Sequence, residues 1–155
     1  MSEVYENLHV GGMDLCSWTP AKAVAHLCKH PCHVNAVGYK GSLAPSHPEY
    51  LMAKRGRQIF GNLVDAPVPI FRKEIFDAVL DFIDEALPKG PVWCHCNNGV
   101  SRAPSIALLW LARRAKAIPA ETFDQARASF VLLYPSYEPG KGIETFLRHE
   151  WEVLR

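Results

Sequence analysis

The chain has 155 residues, 48 % of them apolar, and 17 Lys and Arg stand against 16 Asp and Glu, which gives a formal net charge of +1. This length and composition suffice for a single domain over residues 1–155 with one hydrophobic core. The balanced charge argues against a protein that holds nucleic acid or an acidic membrane surface by electrostatic attraction, so neither is expected as a partner.

The sequence also argues against a membrane-spanning or secreted protein. Its longest unbroken apolar run, residues 106–112, is well short of the roughly 20 residues that cross a bilayer. The N-terminal residues carry acids and neither a basic region nor an apolar stretch, so no secretory signal is visible. We therefore expect a cytoplasmic protein whose five cysteines are mostly free thiols.

In the first part of the chain, short β-rich runs alternate with helical patterns, which is typical of an α/β domain. Residues 8–12 predict a first strand that ends in a Gly-Gly turn. A Thr-Pro pair, typical of an N-cap and the first helical position, begins a predicted helix over 19–29. The alternating run 33–39 predicts a second strand, and 40–56, rich in Gly, Ser, Pro and His, predicts a surface loop. Residues 58–64 predict the next strand.

The second part of the chain has the clearest helix, over 72–87, where apolar residues recur every four positions and carboxylates take the opposite side. The short apolar run 92–95 predicts a fully buried central strand. A buried helix is predicted from residue 103, and two more over 120–133 and 142–153. Together these elements predict an α/β fold in which helices flank a central, mostly parallel, twisted sheet of four to five strands.

The chemically informative residues lie between the buried strand and the helix that follows it. This run can bend into a cup of converging backbone N–H groups, and the helix N-terminus adds its positive end, so the cup suits a dianion. Arg102 is the only charged side chain between Val92 and Ser105, and its planar fork can hold two phosphate oxygens. In so cationic a loop we expect Cys96 to be a thiolate at neutral pH and a nucleophile towards the bound anion.

This run resembles the signature of the cysteine-dependent protein tyrosine phosphatases, in particular their small dual-specificity branch. His95, Cys96, Gly99, Ser101 and Arg102 match a His-Cys-x5-Arg pattern with a Gly-x-Ser-Arg ending. The resemblance extends to the order of strands, the helix after the signature and the first strand, and it implies a dual-specificity phosphatase-like fold.

The resemblance implies a phosphoprotein phosphatase acting on phosphotyrosine, with phosphoserine and phosphothreonine as further candidates. Cys96 would attack phosphorus, a phosphocysteine would form, and water would release phosphate. The histidine before the nucleophile would support the loop and the thiolate. No cofactor or metal ion is expected, and we expect a monomer whose partner is a phosphorylated protein. The substrate-binding candidates are Asn97, Asn98, Gly99, Val100, Ser101 and Arg102.

Such a reaction needs an acid that protonates the leaving oxygen and then acts as a base on water, a role worth about 10²–10⁴ in rate. Asp65 follows the predicted strand 58–64, in a loop stiffened by Pro67 and Pro69. The family keeps its general-acid aspartate in this kind of place, so Asp65 is the candidate. The alternative is an ordinary turn residue.

One departure from the family pattern concerns the second chemical step. The family usually has Ser or Thr directly after the signature arginine, where the hydroxyl stabilises the departing sulfur, and this chain has Ala103. We therefore expect slow breakdown of the phosphocysteine unless Ser101 or another donor compensates. The alternative function is a phosphate- or phosphopeptide-binding pseudophosphatase with slow turnover.

Two other groups of residues have competing interpretations. Cys94 is either a small buried hydrophobe or a resolving thiol that traps oxidised Cys96 as a disulfide. The window 26–33 collects five residues with metal-binding side chains, but their spacing matches no common zinc finger, so no metal site is predicted there.

Overall fold

A six-stranded mixed sheet forms the centre of the computed structural model, which describes residues 2–155. The strands, in chain order, are β1 (Ser2–Tyr5), β2 (Leu8–Gly11), β3 (Ala23–His26), β4 (Met52–Arg55), β5 (Gln58–Gly61) and β6 (Val92–His95). Their spatial order is β1-β2-β6-β3-β5-β4, in which the four inner strands are parallel and the two edge strands antiparallel. The predicted α/β class with a mostly parallel sheet is confirmed, and the two antiparallel edges bring the strand count to six.

Helices flank this sheet. They are α1 (Val34–Val37), α2 (Lys73–Ala86), α3 (Arg102–Arg113), α4 (Phe123–Leu133) and α5 (Lys141–Glu150). Four of the predicted helices therefore form close to their expected bounds, and the one predicted over 72–87 matches α2 almost residue for residue. Of the helices in the described part of the chain, none is long and apolar enough to cross a membrane.

Burial explains why α2 and α3 form where the sequence predicts them. The apolar stripe of α2, including Ile75, Val79 and Ile83, is buried in the core while its carboxylates face outwards. Helix α3 is buried along almost its whole length, from Arg102 to Ala112. An amphipathic helix gains most of its stability from packing its apolar face. The apolar patterns of these two segments therefore predict their helices clearly.

The helix predicted over 19–29 is wrong, because Ala23–His26 in the middle of this range form β3 in the centre of the sheet. All four residues of β3 are buried, and the strand pairs in parallel with both β5 and β6. The Thr-Pro pair lies in the loop before the strand instead of at a helix start. A segment of four residues is too short to show helical periodicity, and burial on both faces of the sheet decides its conformation.

The strand predicted over 33–39 is also wrong, and the surface loop over 40–56 is only partly correct. Residues 34–37 form α1, which ends at Gly38 with a φ of +90°. The end of the predicted loop forms β4, which pairs with β5 across a turn at Gly56, φ +59°. Strand β1, which the sequence did not predict, pairs with β2. Alternating patterns of so few residues do not separate a helical turn from an edge strand.

The register of the parallel strands determines where functional side chains meet. Gly11 of β2 and His26 of β3 both lie opposite His95, the last residue of β6. The carboxyl ends of these strands therefore lie side by side, directly before the loop that carries Cys96. In open α/β sheets this edge is where ligands bind.

Candidate active site

Residues 96–101, which we term the signature loop, connect the end of β6 to the start of α3. Cys96 begins the loop and is 1 % exposed. The loop carbonyls turn outwards and are held by neighbouring segments: Tyr134 Oη donates to Gly99 O at 2.6 Å, and the Glu138 N–H donates to Val100 O at 2.8 Å. Within residues 2–155, the amide groups of residues 97–101 donate to no other protein group. They remain available to a bound anion.

Gly99 lets the signature loop lie directly against the end of β2. Its φ is +73°, and a Cβ there would approach Gly11 C and Gly12 N at 2.6 Å. A Cβ on Gly12 would in turn lie 3.2 Å from Asn97 O. Any other residue at position 99 would meet both the left-handed backbone and this contact, so glycine is required for the shape of the loop.

Arg102 is 92 % buried, with 8 % of its surface exposed, and lies at the first turn of α3. Its Nη1 donates to Leu63 O at 3.0 Å and its Nη2 donates to Asn97 Oδ1 at 2.7 Å. Its Nε is buried and has no acceptor among the described residues. A buried guanidinium with an unused donor is costly unless an anion approaches it, so the site is suited to an oxyanion.

Asp65 lies in the exposed loop after β5 and reaches the signature loop through a hydrogen bond. Ser101 Oγ donates to Asp65 Oδ1 at 3.0 Å, and the same hydroxyl oxygen accepts from the Gly140 N–H at 2.8 Å. A Cβ on Gly140 would collide with the Asp65 carboxylate, and one on Gly142 would collide with the Ala66 carbonyl. The start of α5 therefore packs closely on the loop that carries the candidate acid.

Positions 101 and 103 are where the sequence leads us to look for a hydroxyl that could serve Cys96. Ala103 is fully buried at the start of α3 and offers no donor. The Ser101 hydroxyl donates its hydrogen to Asp65 Oδ1, and its oxygen accepts from the Gly140 N–H. In this arrangement Ser101 does not replace the hydroxyl that the family pattern has after its arginine.

His95 is fully buried, and its Nδ1 faces the carbonyl oxygen of Cys96 at 3.3 Å. Its Nε2 lies 2.7 Å from Nδ1 of His26, whose own Nε2 lies 2.9 Å from Gln58 Oε1. Burial lowers the pKa of both histidines, that of His26 to about 4. These rings therefore support the base of the signature loop as neutral groups.

The remaining cysteine and histidine candidates separate into distinct environments. Cys94 belongs to the hydrophobic core, where burial raises the pKa of its thiol to about 12, in keeping with a packing role. His33 is bonded to Tyr39 Oη and Glu49 O. Cys32 instead faces Cys16 Sγ at 3.7 Å, beside the two buried histidines. No sequence pattern indicated this grouping, because Cys16 and His95 lie outside the window 26–33.

The fold of this chain is similar to that of several solved structures. The human tyrosine phosphatase-like serine/threonine/tyrosine-interacting protein matches with a TM-score of 0.68 and 18 % identity, over 99 % of this chain and 95 % of that one. Human DUSP28 matches with a TM-score of 0.67 and 14 % identity, over 99 % and 97 % of the two chains. The chain has the dual-specificity phosphatase fold.

Other solved structures with this fold include PTP-2 phosphatase of Cydia pomonella, with a TM-score of 0.62 and 14 % identity over 96 % of this chain and 88 % of that one. No protein-family model matches the sequence, and no curated protein matches it significantly. At these identities the likeness establishes the dual-specificity phosphatase fold, and one of the proteins that share it is named only as phosphatase-like. Activity must therefore be argued from the residues of the site.

Proposed function

We propose that this protein is a phosphoprotein phosphatase that hydrolyses phosphate monoesters, phosphotyrosine first among them, through a phosphocysteine on Cys96. The observation that carries the proposal is a set of unused hydrogen-bond donors at the start of α3. The buried Arg102 has an unused Nε donor, and the amides of the signature loop have no protein acceptor among residues 2–155. These donors would hold three phosphate oxygens with the phosphorus in line with the Cys96 sulfur.

The first step would transfer the phosphoryl group from substrate oxygen to sulfur. The Cys96 thiolate attacks phosphorus, the P–O bond to the substrate breaks, and the leaving oxygen takes a proton from Asp65. Arg102 and the loop amides stabilise the charge on the equatorial oxygens of the transition state, in a site largely shielded from water. Asn97 holds one branch of the guanidinium in place for this task.

The second step would return the enzyme to its starting state. Asp65, now ionised, accepts a proton from a water molecule that attacks phosphorus, the P–S bond breaks, and phosphate leaves. The hydrogen bond from Ser101 fixes the Asp65 carboxylate above the signature loop. The side chains at the loop's variable positions are uncharged, which favours a substrate that carries one phosphate.

Hydrolysis of p-nitrophenyl phosphate by the purified protein tests this proposal. We expect Cys96→Ser to abolish turnover and Asp65→Asn to reduce kcat by about 10²–10⁴. Cys94→Ala serves as the matched control, because it removes a buried thiol that lies outside the anion site. Turnover by Cys96→Ser equal to that of the wild-type protein would contradict the proposal.

A second candidate is a phosphopeptide-binding protein with little turnover. It is favoured by Ala103, which provides no hydroxyl for the departing sulfur, and by the engagement of Ser101 with Asp65. Titration with a panel of phosphopeptides, following both binding and phosphate release, separates the two functions. Tight binding with no release of phosphate would favour the binding protein.

A further inference from the structure

Four side chains from four separate segments meet beneath the signature loop, and the phosphatase chemistry uses only one of them. They are Cys16 after β2, His26 at the end of β3, Cys32 before α1 and His95 at the end of β6, and we term them the Cys–His cluster. One ligand atom from each lies within 4.8 Å of all the others. Three of the four residues are fully buried, and Cys16 is partly exposed.

We propose that the Cys–His cluster binds one Zn²⁺ ion as a structural site behind the signature loop. Two cysteines and two histidines are a donor set that zinc takes in closed tetrahedral sites. Binding would form two Zn–S and two Zn–N bonds and release two thiol protons to solvent. Two thiolates neutralise the divalent cation, so the loaded site buries no net charge.

The distances in the cluster are close to those of a tetrahedral zinc site. Cys16 Sγ lies 3.7 Å from Cys32 Sγ and 3.7 Å from His26 Nδ1. Zn–S bonds of about 2.3 Å in a tetrahedron place two sulfur atoms about 3.8 Å apart. The two ring nitrogens, 2.7 Å apart, would separate by about half an ångström to match Zn–N bonds of about 2.0 Å.

The hydrogen bonds around the histidines leave the correct nitrogen free on each ring. Gln58 Nε2 donates to the carbonyls of Ser17 and Thr19, so its Oε1 faces His26 and accepts from the His26 Nε2–H. The His95 Nδ1 faces the carbonyl oxygen of Cys96, which accepts an N–H from it. Metal-binding histidines typically donate their second N–H to a carbonyl or carboxylate in this way.

In this arrangement the lone pairs of two buried ring nitrogens, one from His26 and one from His95, point at each other. With Nε2–H on His26 and Nδ1–H on His95, the facing Nδ1 and Nε2 atoms are both acceptors at 2.7 Å. A proton between them would create a buried charge without a counter-ion, whereas a cation held also by two thiolates satisfies both nitrogens. The chemistry of the four donors together therefore indicates a metal ion.

The surroundings hold the ligands in place before any metal arrives. The His26 ring stacks on Phe60 with a centroid distance of 4.2 Å and an interplanar angle of 4°. Phe60, Ala53 and Cys28 form a small apolar cluster around Cys32, and Cys16 packs at its edge. Because Cys16 is the one partly exposed residue of the cluster, the ion would enter from the surface next to Cys16.

The first test measures zinc in the full-length protein, and then cobalt in its place. We expect about one zinc ion per chain after purification from zinc-supplemented medium. Reconstitution of metal-free protein with Co²⁺ should give the intense visible bands of a tetrahedral site and a thiolate charge-transfer band. Absence of bound zinc together with absence of these cobalt bands would overturn the proposal, whatever the phosphatase activity.

Variants separate this site from the nucleophile. Cys16→Ser is the mildest change, because its side chain is partly exposed, and it should weaken zinc affinity more than about 10–100-fold, the loss typical of outer-shell changes. Cys16→His keeps four ligands and should restore binding, with a weaker thiolate band in the cobalt protein. Cys96→Ser and Cys94→Ala should each bind zinc as the wild-type protein does. Zinc binding that is lost in Cys96→Ser and kept in Cys16→Ser would place the metal at the nucleophile and disprove the proposal.

Two further results would argue against this ligand set. If Cys28→Ser lost the metal and Cys16→Ser kept it, the fourth ligand would be Cys28 instead of Cys16. Cys28 also contacts Cys32. A mass two hydrogens lower in the wild-type protein, absent from Cys16→Ser, would show that Cys16 and Cys32 form a disulfide. The expected mass of the metal-free wild-type protein is that of the fully reduced chain.

Discussion

At the scale of single residues, the proposed anion site depends on one buried cation and on backbone amides. Arg102 is almost fully buried and has no carboxylate partner among residues 2–155, so its charge is available to a ligand. Because only one arginine and uncharged amides are involved, a net charge of +1 for the whole chain is no obstacle to binding a phosphate dianion.

The missing hydroxyl at Ala103 gives the first prediction at this scale. Ala103→Ser should place a donor at the start of α3 near the sulfur that leaves in the second step. A hydrogen bond to a charged group is worth about 1.5–3 kcal/mol, so breakdown of the phosphocysteine should speed up about tenfold or more. Rapid-mixing kinetics should show a burst of leaving group in the wild-type protein and a smaller burst in the variant.

The matched control for this change is Ser105→Ala, which alters a hydroxyl on the same helix that bonds to Tyr137 instead of facing the nucleophile. It should leave the size of the burst unchanged. A wild-type protein with no burst, and a variant with the same steady-state rate, would show that phosphocysteine breakdown is not limiting.

The glycine at position 99 gives a second prediction. Gly99→Ala should lower both stability and phosphate binding, because a methyl group would meet the Gly11 and Gly12 backbone at a φ of +73°. Strain of this kind costs about 1–3 kcal/mol. Chemical denaturation and the KM for p-nitrophenyl phosphate check the two effects. Gly90→Ala is the control, because Gly90 also has a positive φ, +137°, but a Cβ there would meet nothing within 4 Å, so this change should lower stability and leave KM unchanged.

At the scale of elements, the segment between α4 and α5 holds the signature loop from behind. Tyr134 donates to the Gly99 carbonyl and the Glu138 amide donates to the Val100 carbonyl. Tyr137 bonds to Ser105 of α3 at 2.7 Å. The orientation of the loop amides thus depends on a segment more than thirty residues further along the chain.

Two tyrosines of this segment form a matched pair for the third prediction. Tyr134→Phe leaves the buried Gly99 carbonyl without its donor, which should cost about 1–3 kcal/mol of stability and also weaken phosphate binding. Tyr137→Phe removes a buried hydroxyl of similar exposure that does not bond to the loop, so it should lower stability only. Denaturation curves and KM measure the two effects, and equal KM values in the two variants would contradict the role of Tyr134.

At the scale of the whole molecule, the proposed anion site is in contact with several elements of the fold. The signature loop contacts the end of β2, follows β6, begins α3 and is bonded to the segments before α5. An oxyanion bound there should therefore stabilise the fold as a unit and not only the loop. Stabilisation by a ligand that binds only the folded state reaches about 2.7 kcal/mol at a hundred times its Kd.

The fourth prediction measures this coupling. Tungstate should raise the Tm of the wild-type protein and of Cys96→Ser, because the anion is held by Arg102 and the amides without a bond to sulfur. Arg102→Lys keeps the charge but loses the planar fork, so it should show a much smaller rise at the same tungstate concentration. An equal rise in Arg102→Lys and wild-type protein would show that tungstate binds elsewhere.

Features encoded in contiguous residues could be predicted from the sequence alone. The periodicity of α2, the apolar run of β6 and the signature loop directly after it are all local, and the structure forms each of them at its expected place. The fold class follows from their alternation. A local pattern predicts an element or a site when all the side chains involved belong to the same helix, strand or loop.

Features that depend on distant segments follow from tertiary pairing and not from local patterns. Residues 23–26 become a strand because β5 and β6 pair on either side of them, and 34–37 become a short helix between β3 and β4. The Cys–His cluster likewise arises because parallel pairing sets His26 opposite His95, while two loops bring cysteines to the same point. The spacing of such residues along the chain carries no signal, since the register of the sheet and the course of two separate loops bring them together.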